Sequence, residues 1–350
     1  MNEITLTRRS IMGAVGATVA AGSIGLAMPS AASAQRGRAA LSGDRVNAAV
    51  QGAYERYKGF NQGKNADYIP ALAAVPSNYF GIAVVTADGK VFQAGDAEQQ
   101  FSIQSVSKPI TAALVMQESG DKVIEDSVGV DATGQVFNSI TAVEQFRGKE
   151  MNPLVNPGAI ATVGNVKGTP EEVWAKILKI HSDMAGRQLE VNQEVYKSES
   201  DTNQRNRAIS ALMRAYDRFS SDPAVAVDLY TRQCSINVSA RDLAAMAATL
   251  AFGGRNPVTG KPVIEGNHVP GVLAIMATAG MYDDSGKWLF HTGVPAKSGV
   301  GGGIMAVVPG KLGIGTFAPP LDAAGNSVRG QLAITDIISQ LNVNPYAQFG

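Results

Sequence analysis

Cysteine is almost missing from this 350-residue chain: Cys234 stands alone. That excludes an internal disulfide framework and any cysteine-rich zinc or iron–sulfur site. Histidine is nearly as scarce. His181, His268 and His291 lie far apart and form no HExxH pair, so a metal centre would have to be built on carboxylates. Charged residues make up only 17% of the chain, and the 30 basic ones equal the 30 acidic ones. A general binder of nucleic acid or membrane surfaces carries an excess of one sign. Disorder needs low hydrophobicity with high net charge, whereas 45% of these residues are apolar. Nucleotide motifs are missing too. Gly293 to Ser298 (GVPAKS) lacks the glycine directly before lysine of a Walker A loop, and Ile304 stands where a GxGxxG starting at Gly299 needs its last glycine. No GxSxG elbow occurs beyond the N-terminal segment, which weakens an ordinary α/β-hydrolase reading.

That N-terminal segment differs from everything after it. Arg8 and Arg9 precede an uncharged, Gly/Ala-rich run from Ile11 to Met28, then Pro29 and the small-residue site Ala32-Ser33-Ala34. This is the layout of a secretory signal, with Thr7-Arg8-Arg9-Ser10-Ile11 as a twin-arginine version. The alternative is a membrane anchor, but the run is barely 18 residues long and is diluted by Gly13, Gly16, Gly22 and Gly25, short of a comfortable span. Residues 1–34 are therefore expected to be removed, leaving 35–350 with 28 basic and 29 acidic residues. The expected location is the periplasm or the exterior of a bacterial cell, reached in the folded state.

No repeat, charge block or long linker divides the remainder. Phe80 to Thr86, Asp88-Gly89 and Lys90 to Gln93 read as a hairpin. A helix is expected from about Ser105 to Glu118, with Pro109 in its first turn. Thr169-Pro170-Glu171-Glu172 is a capping box opening a helix that stops near Gly186. Further helices are read at Asn206 to Arg218, Asp222 to Thr231, Ser239 to Phe252 and Ser327 to Leu341. Strands are read at Trp288–His291, Gly303–Val308 and Leu312–Phe317. Strands near both ends with helices between predict an α+β architecture: one antiparallel sheet flanked by helices, with an inserted helical lobe and a cleft between. The α/β part would take about 44–104 and 265–345, the helical lobe about 105–264.

The chemistry is carried by Ser105-Val106-Ser107-Lys108, an SxxK, and by Lys297-Ser298-Gly299, a K[ST]G, 192 residues later. Residues three apart on a helix share a face, so the lysine amine can reach the serine hydroxyl. Neutral lysine could take the serine proton, helped by a nearby cation such as Lys297. A serine at a helix N-terminus faces free N–H groups and a favourable dipole, and Val300 would add a second N–H to an oxyanion hole. SxxK alone is a common accident; Ser119 to Lys122 is another match at a predicted helix end. From these residues alone two readings stand: an acyl-enzyme serine hydrolase, or a helix-cap serine with two surface lysines.

Longer stretches add to this. Tyr68-Ile69-Pro70, Gln104 to Pro109 (QSVSKP), Asn152 to Ile160 (NPLVNPGAI), Cys234-Ser235-Ile236, Gly280 to Asp283 (GMYD) and Pro295 to Val300 (PAKSGV) occur in this order. In them the chain resembles the serine-dependent glutaminases of the β-lactamase/penicillin-binding fold, over about residues 68–330. The resemblance implies hydrolysis of L-glutamine to L-glutamate and ammonia through a γ-glutamyl-serine ester. It implies Ser105 as nucleophile, Lys108 as its base and Tyr282 as the group passing a proton to ammonia, with the N–H groups of Ser105 and Val300 on the amide oxygen. Asn156, Glu199, Asn206 and Tyr230 would hold the amino-acid end, and Tyr68 and Gln104 would line the pocket. It also implies no metal, no organic cofactor, and a homo-oligomer, a dimer or tetramer; from the charge balance no nucleic-acid partner is expected, nor a membrane partner after signal cleavage.

Glu199 suits an ammonium and neutral donors suit a carboxylate. Read without the resemblance, Tyr230 and Tyr282 are half-buried aromatics, Asn156 before Pro157-Gly158 is a turn residue, and Glu199 and Asn206 sit in a solvated loop (SESDTNQRN). Cys234 reads as a small buried residue. Two departures stand out. Asp131-Ala132-Thr133-Gly134 replaces the family's Glu-Pro-Ser-Gly, and Asn203-Gln204 replaces its Gly-Asp. The competing readings are a penicillin-binding enzyme or β-lactamase, against which no SDN tripeptide lies between the two motifs, and a catalytically silent amino-acid-binding protein.

Overall fold

The structure, a computed structural model, describes residues 41–347; the expected signal at 1–34 lies outside the described residues. β1 (Gly81–Thr86) and β2 (Val91–Gly95) form the expected antiparallel hairpin around Asp88-Gly89, where Gly89 takes φ 75°. Two short strands, β3 (Phe101–Ser102) and β4 (Asn237–Val238), pair with each other just ahead of the SxxK. β5 (Ala296–Ser298), β6 (Gly303–Val308) and β7 (Leu312–Phe317) complete the main sheet in the order β2-β1-β7-β6-β5, all antiparallel. The two ends of the chain thus build one sheet, and Lys297-Ser298 lies on its edge strand.

Alternation of side chains assigns the two faces. Ile82, Val84, Ile304, Ala306 and Ile314 pack against the helices Gly43–Tyr57 and Val328–Leu341. Burying each such branched side chain contributes roughly 1.5–3 kcal/mol. Ala83 and Val85 on the other face meet Ala244 and Ala248 of the helix Ala240–Ala251. That helix lies directly on the sheet because β7 carries glycine where it crosses: a Cβ on Gly313 would sit 2.1 Å from Ala248 N, and one on Gly315 2.1 Å from Ala240 O. A second, larger apolar cluster fills the helical region around Ile110, Ile160, Ile177 and Met246.

Local signals place most helices. Thr169 and Glu172 form the capping box of the helix Pro170–Ala185, which ends on left-handed Gly186, and Ser327 caps the last helix. Trp288–His291 is not a strand. It belongs to the helix Ser285–Thr292, closed by left-handed Gly293, and leaves Phe290 84% exposed. Four apolar residues are too few to separate a period of 2 from one of 3.6. Nor is the SESDTNQRN run a loop: the helices Gln193–Thr202 and Gln204–Ala215 meet there. Asn156 opens the helix Asn156–Gly164, with Pro157 in its first turn, instead of sitting in a turn. The helices Gly43–Tyr57, Ile140–Phe146 and Val269–Ala279 carry no counterpart in the sequence reading.

Candidate active site

Ser105 lies in one 3-10 turn, Gln104–Ser107, that runs into the helix Lys108–Ser119. Pro109 sits in the first turn of that helix, where its missing N–H costs nothing. The loop after β5 lies against this turn through glycines: a Cβ on Gly299 would meet Ile103 O at 2.8 Å, and one on Gly301 would meet Ser102 O at 2.7 Å. The contact brings Ser105 and Val300 to the same cavity, whose volume is 280 Å³. Ligand cavities usually run from about 300 Å³ upward, so this one suits a small molecule. Among the described residues, the amides of Ser105 and Val300 donate to no backbone carbonyl.

The cavity is lined by Tyr68, Gln104, Ser105, Asn156, Glu199, Asn206, Tyr230 and Val300, every predicted pocket residue except Lys108 and Tyr282. Those two stand just behind its wall. Lys108 is 1% exposed, and its ammonium donates to Asn156 Oδ1 at 2.7 Å and Leu154 O at 3.5 Å. It makes no hydrogen bond to Ser105 in this state, unlike the direct contact expected from the i, i+3 spacing. Burial pulls its pKa down to about 8, with Cys234 and Glu199 working the other way. The main cause is therefore desolvation, not a neighbouring cation. Lys297 is also fully buried and pushed well below its ordinary value, first by burial and then by Lys108. Its ammonium bonds to Gly280 O at 3.1 Å and Ser298 O at 2.6 Å, and lies 4.3 Å from the centre of the Tyr282 ring.

Tyr282 adopts φ 52°, a left-handed backbone that a tyrosine rarely takes. Ser285 holds it there, since its hydroxyl donates to Tyr282 O at 2.7 Å and accepts from Met281 N–H at 3.0 Å. Phe137 packs against the ring at 5.0 Å between centroids. The Tyr282 hydroxyl faces Ser105 and Val300 without a hydrogen bond of ordinary geometry to either. Burial raises its pKa, and Ser105 opposes the shift.

The opposite side of the cavity is made of helix ends. Asn156 Oδ1 accepts from Lys108 and, at 3.1 Å, from the Tyr230 hydroxyl; its Nδ2 donates to Asn206 Oδ1 at 3.0 Å. Asn206 thereby keeps its NH2 as a donor. Glu199 is 7% exposed and accepts from Gln104 Nε2 at 3.2 Å, with no cation in salt-bridge contact among the described residues. Burial raises its pKa to about 7, against the Gln104 hydrogen bond and the charge of Lys108. Tyr68 stands at the rim, 55% exposed. Phe137, Asn138, Asn203 and Arg205 also line the cavity, and Arg205 Nε donates to Asn138 O at 2.9 Å. The sequence points to two of these only indirectly: Asn203 stands in the departure from the family's Gly-Asp pair, and Arg205 adjoins Asn206. A larger groove of 580 Å³ lies beyond Asn203, between Tyr196, Arg207 and Asp228; its one serine, Ser200, has no lysine beside it in the groove lining. Cys234 is buried and its thiol pushed up, chiefly by burial, as an inert core residue would be. Among the described residues no group of three or more His, Cys, Asp or Glu is placed to hold a metal ion.

Residues 63–346 match the family model described as Glutaminase. The chain is 50% identical over 300 residues to the glutaminase of Colwellia psychrerythraea, covering 85% of this chain and 96% of that protein. It is also 50% identical over 304 residues to the glutaminase of Mycobacterium ulcerans, covering 87% and 95%. Among solved structures, the probable glutaminase ybaS matches with a TM-score of 0.86 at 45% identity, over 87% of this chain and 99% of that one. The probable glutaminase from Bacillus subtilis, complexed with 6-diazo-5-oxo-L-norleucine, matches with a TM-score of 0.78 at 31% identity, over 85% and 96%. The sheet and its helices are the β-lactamase-like α+β fold of these neighbours. By model, by sequence and by structure, the chain belongs to the glutaminase family.

Proposed function

We propose that this protein hydrolyses L-glutamine to L-glutamate and ammonia through a γ-glutamyl ester on Ser105. The observation that carries the reading is Glu199: a buried carboxylate with no cation in salt-bridge contact among the described residues, in the same small cavity as a serine backed by a buried lysine. Such a carboxylate is costly unless a cation arrives, and a substrate ammonium is that cation. Asn206 takes the α-carboxylate together with Tyr230, whose single hydroxyl hydrogen leaves Asn156 Oδ1 for the substrate; Gln104 and Tyr68 close the pocket around Glu199. This leaves the side-chain amide for Ser105.

Neutral Lys108 takes the Ser105 proton as Oγ attacks the amide carbon. Two of its amine hydrogens point to Asn156 Oδ1 and Leu154 O, which leaves the lone pair for Ser105. The developing oxyanion is held by the N–H groups of Ser105 and Val300. The Tyr282 hydroxyl passes a proton to the departing ammonia and regains one from Lys108, which is thereby neutral again; water then cleaves the ester, with Lys108 taking the water proton and returning it to Ser105 Oγ. The enzyme works as a homo-oligomer, a dimer or tetramer, after twin-arginine export and cleavage before Gln35; the Arg8-Arg9 pattern and Ala32-Ser33-Ala34 support that route.

The test is ammonia release by residues 35–350 from L-glutamine, with L-asparagine in parallel. Turnover of glutamine with at least about tenfold less from asparagine is expected, the size of effect one methylene allows. Release from neither would overturn the reading. Exported protein whose N-terminus is not Gln35 would contradict the processing step.

A further inference from the structure

Behind the Ser105 turn, three polar side chains, Ser107, Gln233 and Thr111, form a buried chain that ends on the Gln104 carbonyl. The Ser107 hydroxyl donates to the Gln104 carbonyl at 2.6 Å and accepts from Gln233 Nε2 at 3.0 Å. The other end of that amide, Gln233 Oε1, accepts from the Thr111 hydroxyl at 2.6 Å. Ser107 and Gln233 are fully buried, Thr111 is 1% exposed and Gln104 3%. None of Ser107, Thr111 or Gln233 lines the cavity.

Bond direction along this chain is determined at its end. A carbonyl can only accept, so the Ser107 hydrogen must go to Gln104 O. Ser107 then receives from the Gln233 NH2, and Gln233 Oε1 receives from Thr111. Every polar atom in the sequence is used, the condition under which a buried network specifies one geometry instead of destabilising the core. Apolar residues would fill the same volume without that cost, so the geometry at the end of the chain is the feature to explain.

That end is the peptide between Gln104 and Ser105. Among the described residues no peptide bond is cis, and in a planar trans peptide the C=O and the next N–H point in opposite directions. Drawing Gln104 O back toward Ser107 therefore swings the Ser105 N–H out, toward the cavity. Gln104 pays for the orientation with φ 51°, a left-handed strain that needs an anchor. We propose that Gln233, acting through Ser107 and steadied by Thr111, is a positioning residue that aims the Ser105 N–H at the oxyanion.

This inference rests on the reading of Ser105 as nucleophile, and the experiment separates the two. Wild type, Gln233→Leu, Ser107→Ala, Thr111→Val and Thr111→Ser are titrated to completion with 6-diazo-5-oxo-L-norleucine, and kcat and KM are expressed per labelled site. Aiming the donor less well should cost less than the hundredfold to thousandfold loss of a deleted oxyanion donor. The expected result is kcat per site down about 10- to 100-fold in Gln233→Leu and Ser107→Ala, with KM within about threefold. Thr111→Val should lose less, and Thr111→Ser, which keeps the hydroxyl, should match wild type. A purely structural role would lower the number of labelled sites and leave kcat per site unchanged; that result would overturn the proposal. If Gln233→Leu does not fold, Thr111→Val, which exchanges a hydroxyl for a methyl, decides by the same criterion. Wild type that turns over glutamine but labels elsewhere than Ser105 overturns the nucleophile assignment, and with it this inference.

Discussion

On the sheet side of the cavity, position is set by backbone. Val300 follows β5 in a loop whose glycines touch the carbonyls of Ser102 and Ile103, and Gly302 takes φ 97°. On the helical side, position is set by side chains. Asn156 and Asn206 come from the first turns of two helices, Glu199 from near the end of a third and Tyr230 from the body of a fourth. They are tied to one another and to Lys108 and Gln104 by amide, phenol and carboxylate bonds. The groups that would stabilise a transition state are thus parts of the main chain, which substitution can shift but not delete. The groups that would read the amino acid are replaceable one by one. Changes on the first side should appear in kcat, and changes on the second in KM.

The largest effect tests the residue between the two sides. Ser105→Ala should lower ammonia release by about 10⁴-fold or more with an unchanged circular-dichroism spectrum. Gly299→Ala tests the backbone side: its Cβ would press on Ile103 O, so kcat should fall about 10²-fold while KM stays within a few-fold. A rise in KM alone would erase the distinction between the walls.

Glu199→Gln tests the side-chain wall. Losing a charge-assisted bond to the substrate should raise KM about 10- to 100-fold, with kcat little changed. The same variant has an opposite effect on stability. The Glu199 pKa rises from 4.5 unfolded to about 7 folded, so the folded protein resists its ionisation and loses stability as pH rises through that window. Glu199→Gln should therefore melt higher than wild type at pH 8, and the gain should vanish by about pH 4.5. A variant that melts lower at pH 8 would show that the carboxylate is not strained.

The pH profile follows from both walls. With Lys108 at about 8 and Glu199 at about 7, activity needs one deprotonated and the other charged. kcat/KM should drop about tenfold per unit below pH 8 and more steeply below 7. The steeper limb should disappear in Glu199→Gln. The smallest effect is expected at Asn203, which bonds to Thr231 and Arg207 between the cavity and the outer groove. Asn203→Gly should change KM by less than about threefold and cost about 1–2 kcal/mol of stability through its lost bonds. A large KM change there would mean that the wall reads substrate through Asn203.

The legibility of the sequence divides along similar lines. Turns and caps are written locally, and Asp88-Gly89, the Thr169 to Glu172 capping box and the Ser327 N-cap appear where their residues predict. The Ser105 turn and the Lys297 strand are legible as motifs, and the resemblance links them to the residues of the helical wall. What could not be read is what distant packing decides. Glu199 looks solvated in its polar run, yet the elements packed around it bury it. Lys108 turns to Asn156, 48 residues on, instead of bonding to its own helix neighbour. The link between Ser107 and Gln233 spans 126 residues, and no local pattern announces it.

The account stands most directly on Ser105 as the group that attacks. The protein should be incubated with 6-diazo-5-oxo-L-norleucine, whose diazo carbon loses nitrogen as a nucleophile bonds to it, then digested and mapped by mass spectrometry. The account predicts one adduct, on the Ser105 hydroxyl, forming in step with loss of glutamine turnover and slowed by L-glutamate. An adduct on Cys234 or any other side chain that tracks the loss of activity, with Ser105 unmodified, would contradict it.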